Sequence, residues 1–130
     1  MRGVGLIEVI VATALLAVMA LGVAPLLAAA VRSNAEARLQ LDAAAAATER
    51  MEQLLAAPFA APISPPDSLT FDDPGFNDVV ASPAGTLTRR WSTTPYAADP
   101  ADTRVLSVVV CTPGRPRLTI VTTVRTRTGP

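Results

Sequence analysis

The sequence predicts an α+β fold in which a long N-terminal helix packs on a small antiparallel sheet. The first half of the chain is rich in Ala, the strongest helix former, and residues 33–57 contain neither Gly nor Pro. The second half carries three runs rich in Val, Thr, Ile and Leu, and Pro and Gly separate these runs. A chain of 130 residues holds one globular unit beside such a helix, so a second independent core is not expected.

Composition argues against several classes of function. Eleven basic residues balance eleven acidic ones, so the chain lacks the broad positive field on which nucleic-acid binding relies. There is no His, and Cys111 is the single cysteine, which excludes an intramolecular disulfide and clustered Cys/His zinc sites. Glycine-rich phosphate loops and nucleophile elbows are also absent from the sequence. We therefore expect neither an enzyme nor a cofactor, and interpret Cys111 as a small buried hydrophobe, with a reactive thiol as the alternative.

An uncharged apolar segment, residues 9–31, lies close to the N-terminus. As a helix it is roughly 34 Å long, about the thickness of the hydrocarbon core of a bilayer. Arg2 precedes it, and the positive-inside bias keeps the start of the chain cytoplasmic and sends the part after Arg32 across the membrane. The sequence therefore predicts a single-pass protein with an extracytoplasmic globular part.

Two features of this segment are unusual in a plain membrane anchor. Glu8 lies at its leading edge, and a carboxylate inside a membrane helix costs about 2.5 to 3.5 kcal/mol, which makes it a functional candidate. The alternative places Glu8 near the interface, in the first helical turn, where the helix macrodipole stabilises an anion. Pro25 removes one backbone hydrogen bond, and Gly22 weakens the same turn, so a bend or an unwound patch is expected there. Membrane helices also tolerate proline, and this reading stays open.

Residues 3–12 resemble the class III signal of type IV prepilins, in which a short basic leader ends in Gly and precedes a hydrophobic stretch with Glu as its fifth residue. These residues read Gly3-Val4-Gly5-Leu6-Ile7-Glu8-Val9-Ile10-Val11-Ala12. The resemblance implies that residues 1–3 are a leader, that a prepilin peptidase cleaves between Gly3 and Val4, and that the new amine of Val4 is N-methylated. It also implies that Glu8 meets the α-amino group of a neighbouring subunit.

The residues just after the implied cleavage site depart from the commonest pattern of this family. That pattern has Phe followed by Thr or Ser, whereas Val4 and Gly5 stand here, a form that is typical of the minor subunits. The resemblance also places Pro25 where many pilins carry a helix-disrupting proline. The implied fold is pilin-like, with a long helix laid against an antiparallel sheet.

The resemblance implies a minor pilin or pseudopilin that primes or caps a type IV pilus-like filament. Its implied partners are the other pilins of that filament, the prepilin peptidase with its methyltransferase activity, the inner-membrane assembly platform and, before assembly, membrane lipid. Its implied location is the bacterial inner membrane with a periplasmic head, and then the pilus or pseudopilus. One alternative is a minor pseudopilin of a type II secretion system that acts in protein export, or a DNA-uptake filament. A second is a conventional secreted domain, cleaved after Ala30, or a single-pass anchored domain.

The helix is predicted to run from about Leu6 to Ala56, because Pro58 disfavours helical geometry in the residue before it. Residues 4–31 then form the membrane or filament-core part, and residues 32–57 form its amphipathic continuation. In the continuation, an apolar stripe recurs at steps of three and four residues, and we expect it to cover the sheet. The stripe comprises Leu41, Ala44, Thr48, Met51 and Leu55.

Residues 58–83 are predicted to form a linker loop rich in Pro and Asp. Oxygen ligands gather in this loop, and Asp72, Asp73 and Asp78 are weak candidates for binding Ca²⁺. Their spacing matches no calcium-loop motif, so a solvated acidic loop is the favoured interpretation and no metal site is predicted.

Residues 84–130 are predicted to form the sheet of the head. The expected strands are Thr86–Thr93, Arg104–Cys111 and Arg117–Thr126. Alternate side chains of the last strand form two faces, one for the helix and one for solvent or a neighbour. Trp91 shares a face with Leu87 and Arg89 and is expected in the core, with an interface anchor as the alternative. A basic edge, solvated or facing the acidic loop of another subunit, is expected from Arg89, Arg90, Arg125 and Arg127.

Overall fold

The computed structural model describes residues 5–127, which form one helix and a four-stranded sheet. The elements are α1 (Leu6–Ala56), β1 (Asn77–Ser82), β2 (Gly85–Tyr96), β3 (Asp99–Thr112) and β4 (Arg115–Thr126). Each strand pairs with the next in antiparallel orientation, so the sheet has the order β1-β2-β3-β4. The C-terminal part of α1 packs on this sheet, which confirms the predicted α+β fold.

The chain divides into two units near Ala37, within α1. The first unit contains the N-terminal part of the helix. The second unit, called the head below, begins at Arg38 and contains the rest of α1 and the whole sheet. The hydrophobic core of the protein lies in the head, between α1 and the sheet.

α1 ends at Ala56, as predicted, because Pro58 disfavours helical geometry in the residue before it. The last turn of a helix exposes carbonyl oxygens that favour a positive charge, and the last turn of α1 has no basic residue of its own. Arg125 of β4 provides one, since its Nη1 donates to the carbonyl oxygens of Leu54 (3.3 Å) and Ala57 (2.7 Å). The last strand of the sheet therefore caps the helix.

Alanines form most of the side of α1 that packs on the sheet. Ala43 and Ala47 are fully buried, and Ala46 and Met51 are nearly so. Because the alanines carry only a methyl group, the main chain of the helix can lie against larger side chains of the strands. The buried strand residues in this core are Leu87, Trp91, Leu106, Val108 and Val110.

The apolar stripe predicted for this part of α1 is largely wrong. Only Met51 of the stripe is buried, whereas Leu41 and Leu55 are 69% and 41% exposed, and Ala44 and Thr48 are also exposed. The prediction gave weight to leucine, but the side that faces the sheet is made mostly of alanine. The helix is therefore rotated by about one residue, roughly 100°, from the predicted orientation.

All three predicted strands are present, as β2, β3 and β4, and each is longer than expected. The sequence does not predict β1, which lies inside residues 58–83. This strand begins with Asn and Asp, two residues that are depleted in strands, so only Val79 and Val80 carry a strand signal. In the turn between β3 and β4, Gly114 has a φ of 81°, a conformation that favours glycine.

The sheet is buried on both faces at its centre. Leu106, Val108 and Val110 of β3 face α1, and the alternating residues Val109 and Cys111 point to the other face, yet Val109 and Cys111 are only 0% and 5% exposed. Burial raises the pKa of the Cys111 thiol and keeps it in the neutral form. The interpretation of Cys111 as a buried residue in a strand is confirmed.

The segment that joins α1 to β1 covers this second face. It first runs beside β2, where the Ser64 N–H donates to the carbonyl oxygen of Thr93 at 3.0 Å. Asp72 then forms an ion pair with Arg90, with 2.8 Å between a carboxylate oxygen and Nε. Arg90 alternates with Trp91 and lies on the face opposite to α1. The region that the sequence predicts to be a linker is therefore part of the folded head.

A buried arginine joins three elements of the head. Arg89 of β2 is 6% exposed, and its guanidinium donates to both carboxylate oxygens of Asp78 in β1, at 2.8 and 2.6 Å. The same guanidinium lies 3.4 Å from a carboxylate oxygen of Glu49 and 3.3 Å from the carbonyl oxygen of Ala46, both on α1. Hydrogen bonding to Asp78 raises the pKa of Arg89, so this buried group stays charged and depends on its partners.

Trp91 packs in the core, as predicted, and is 5% exposed. Arg50 of α1 lies over its ring, with 3.6 Å between the guanidinium carbon and the ring centroid. This cation–π contact is a second link between the helix and the sheet.

The arginines that we expected at a basic edge instead bond to groups of their own chain. Their partners are Asp78 for Arg89, Asp72 for Arg90, the Leu54 and Ala57 carbonyls for Arg125, and Asp102 for Arg127. The sequence does not reveal these pairs, because in each of them the partner lies in a different structural element from the arginine.

We expect Asp78→Ala to destabilise the head by about 2 kcal/mol, because it leaves the Arg89 guanidinium buried without its main counter-ion. The loss stays below that of a fully buried pair because Asp78 is 34% exposed. Glu49→Ala is the matched control, since this carboxylate is 60% exposed, and it should cost less than about 1 kcal/mol. Urea unfolding of the full chain in detergent micelles, followed by Trp91 fluorescence, measures both values. Equal losses would contradict the role given to Asp78.

We also expect Ala47→Leu to destabilise the head by about 1 to 3 kcal/mol, because a fully buried position against the sheet has no room for a larger side chain. Ala44→Leu, on the exposed side of the same helix, is the control and should change stability by about 0.5 kcal/mol or less. The same unfolding measurement applies. If Ala47→Leu is as stable as the parent chain, the tight packing of α1 around Ala47 is wrong.

Candidate functional site: an apolar helical segment with a carboxylate near its start

The described part of the first unit, residues 5–37, has no buried side chain. Every large aliphatic side chain from Leu6 to Val31 is at least half exposed, between 50% at Val9 and 80% at Leu6. The mean hydropathy of the helix reaches 2.5 there, and its length and composition suffice to cross a membrane. A helix that is apolar on all sides requires a covering, which lipid or other helices provide.

The polar side chain in the middle of the apolar segment is satisfied by the helix itself. The Thr13 hydroxyl lies 2.9 Å from the carbonyl oxygens of both Val9 and Ile10. It therefore brings no unsatisfied hydrogen-bonding group into an apolar environment.

Gly22 and Pro25 lie within an uninterrupted helix. α1 is helical from Leu6 to Ala56 with Pro25 inside it, so the unwound patch expected at this point is not found in the structure. Pro25 has no N–H to donate to the carbonyl of Leu21, and a Cβ added at Gly22 would meet no atom within 4 Å. Gly22 and Pro25 both lower the intrinsic stability of the helix, and the turn between them is still helical.

Glu8 lies in the first turn of α1, and its side chain is exposed. Its N–H donates to the carbonyl oxygen of Gly5 at 2.9 Å, so the main chain already turns as a helix at this point. Among residues 5–127, the Glu8 carboxylate has no hydrogen bond or ion pair. A carboxyl group beside apolar surface, without a cation in the described chain, is suited to bind a cation of another molecule.

Gly3 and Val4, the predicted positions of cleavage and methylation, lie outside the described residues. The processing of the N-terminus therefore stays a prediction.

The three aspartates named as weak calcium candidates do not form a cation site. Asp78 binds Arg89 through both of its oxygens, and Asp72 pairs with Arg90 on the opposite face of the sheet. The carbonyl oxygen of Asp73 accepts from the Asn77 side chain at 2.7 Å. Within residues 5–127, no group of three or more His, Cys, Asp or Glu side chains is placed to hold a metal ion. Arginines bind two of the three carboxylates that the calcium interpretation needs.

The structure also brings together three arginines that the sequence gives no reason to associate. The guanidinium carbons of Arg104, Arg125 and Arg127 lie 5.2, 5.9 and 4.9 Å from the ring centroid of Phe59. Nε and Nη1 of Arg104 are buried without a hydrogen-bond partner in the described chain, beside a cavity of about 20 Å³. The cluster places positive charge at the C-terminal end of α1, where the macrodipole favours it. Strand register, with Arg104 opposite Arg125, creates the cluster, and no local sequence pattern signals it.

The head thus contains a packed core, whereas the first unit presents apolar surface and the Glu8 carboxylate, which has no cation in the described chain. A scan against protein-family models, a search of curated proteins and a search of solved structures each found no match to the chain.

Proposed function

We propose that the protein is a minor subunit of a type IV pilus-like filament, a minor pilin or pseudopilin. The observation that supports this function best is the apolar helical segment, which leaves every large aliphatic side chain exposed and carries Glu8 at its start. A plain membrane anchor accounts for the apolar surface but gives no role to Glu8. The prepilin-like residues 3–12 give it one, because their pattern has a Glu at this position.

In the proposed filament, Glu8 pairs with the α-amino group of Val4 in a neighbouring subunit after cleavage behind Gly3. Within an apolar helix bundle, an ion pair is stronger than at a protein surface, and an unpaired carboxylate is strongly disfavoured. The axial position at which the two charges meet is therefore favoured over other positions. Glu8 selects the register in which a new subunit joins.

Before assembly, the apolar segment is proposed to span the bacterial inner membrane once. Arg2 keeps its start in the cytoplasm, and the head lies in the periplasm. The partners in this proposal are a prepilin peptidase with methyltransferase activity, the assembly platform and the other subunits. The subunit primes or caps the filament, which belongs either to a pilus or to a secretion system.

We expect the native protein to begin at N-methyl-Val4. Intact mass and terminal-peptide sequencing of membrane and sheared-filament fractions measure this start, with a strain lacking prepilin peptidase as the control. Loss of the processed form in that strain is the expected result. A start at Val31 would identify a conventional secreted domain, and an unprocessed chain in both strains would identify a simple anchored protein.

We expect Glu8→Ala to leave cleavage intact and to lower the amount of subunit in sheared filaments at least about tenfold, which corresponds to a loss of about 1.4 kcal/mol or more in the binding of the subunit. Glu52→Ala is the matched control, because it removes an exposed carboxylate from the head part of the same helix. It should assemble like the parent chain. Co-purification with tagged subunits gives a second readout.

Equal incorporation of Glu8→Ala and the parent chain would contradict the pairing of Glu8 with an amine. A processed N-terminus together with normal incorporation would keep the filament function and reject this mechanism alone.

A further inference from the structure

β4 lies at the edge of the sheet, and among the described residues only β3 pairs with it. The hydrogen bond from the Arg127 N–H to the carbonyl oxygen of Asp102 (2.7 Å) shows which residues of this end of the chain point towards β3. Because successive residues of a strand direct their main-chain groups to opposite sides, the N–H and C=O groups of Ile120, Thr122 and Val124 point away from β3. They form a row of donors and acceptors along an edge with which no other described strand pairs.

The side chains beside this row are apolar and uncovered. Ile120 and Val124 are 54% and 56% exposed, and they alternate with residues that face α1. The segment that covers the second face over Val109 and Cys111 of β3 leaves these two side chains of β4 open. Native proteins usually protect edges with Pro, bulges or short strands, whereas the row from Ile120 to Val124 is regular and free of Pro.

Positive charge lies at both ends of the row. Arg117 is near its start, and Arg125 and Arg127 follow its end. Asp102 is the one carboxylate that bonds these three arginines in the described chain, and its 3.4 Å pair with Arg127 is well exposed on both sides. Among residues 5–127, Arg125 donates only to carbonyl oxygens at the end of α1, so its charge is not neutralised by a carboxylate there. Carboxylates on an incoming strand therefore find complementary charge at the two ends.

The same charges disfavour pairing between two copies of β4. In an antiparallel pair centred on Val121, Arg117 of each copy lies opposite Arg125 of the other. Like charges directly opposite each other destabilise a strand pair, so this repulsion disfavours pairing between the β4 edges of two copies.

We propose that the free edge of β4 binds an extended segment of a different protein chain, with acidic residues at its two ends, by strand addition. Main-chain hydrogen bonds to Ile120, Thr122 and Val124 provide affinity, and the flanking arginines provide selectivity. The inference concerns the head alone and does not depend on the proposed filament function.

The probe is a labelled peptide, Glu-Val-Thr-Val-Thr-Val-Thr-Val-Glu, whose terminal carboxylates lie opposite Arg125 and Arg117 when its valines lie opposite Ile120 and Val124. Two further peptides serve as controls. One replaces both Glu residues with Lys, and the other has N-methyl groups on alternate amides and cannot pair with a strand. Fluorescence anisotropy measures the binding of each peptide to the full chain in detergent micelles.

Thr122→Pro tests the edge directly, because it removes a main-chain donor that points away from β3 and leaves the bonds to β3 in place. Thr122→Ala is the matched control, since it keeps this donor and likewise removes the hydroxyl that lies 3.1 Å from that of Ser107. Arg117→Glu tests the charge at an exposed position and does not depend on how the chain tolerates Pro.

The expected result is that the Glu peptide binds the parent chain and Thr122→Ala alike, and that binding weakens at least tenfold for Thr122→Pro, for the Lys peptide and for the N-methyl peptide. Arg117→Glu should reduce or reverse the preference for Glu over Lys. No binding of the Glu peptide, equal binding of the Lys peptide, or unchanged binding to a folded Thr122→Pro would overturn the proposal. So would a dimer of the parent chain that Thr122→Pro dissociates, because it would assign the edge to a second copy.

Discussion

The packing of the alanine side of α1 on the sheet is the constraint on which the rest of the head depends. Ala43, Ala46 and Ala47 permit it, because their methyl groups leave room for the large buried side chains of β2 and β3. In this arrangement the buried guanidinium of Arg89 bonds to the carbonyl oxygen of Ala46 as well as to the carboxylate of Asp78. A bulkier helix face would push α1 away from β2 and remove the contacts that keep a buried charge tolerable.

The two parts of α1 differ in composition and meet different environments. In the head, alanine is useful because it is small, and the sheet supplies the large apolar surface. In the first unit, the Leu, Ile and Val side chains are exposed, and no other part of the described chain packs against them. This segment is helical although none of its described side chains is buried, so contacts within the chain do not account for its stability. A covering from outside the chain is needed to stabilise it. In the proposed filament function, lipid covers the segment before assembly and neighbouring helices cover it afterwards.

The sequence predicts the bounds of α1 well, because Ala-rich composition and Pro58 are local signals. It predicts three strands for the same reason and misses β1, whose Asn77 and Asp78 weaken the strand pattern. The orientation of α1 and the partners of the buried arginines are not predictable locally, since they depend on which elements meet. For the candidate site, the sequence identifies Glu8 and its apolar surroundings, and only the structure shows that no cation of residues 5–127 bonds it.

The two proposed contacts act through different physical terms and at different places. Pairing of Glu8 with an amine selects an axial position inside an apolar bundle, where the low dielectric constant makes charge neutralisation strong. Strand addition at β4 acts at the surface of the head, where main-chain hydrogen bonds give affinity and arginines select among partners in a salt-dependent way. In a chain with both contacts, the helix determines the axial position of the subunit and the sheet determines which neighbouring chain it binds. Either contact can fail without the other, because Glu8 and β4 belong to separate units of the chain.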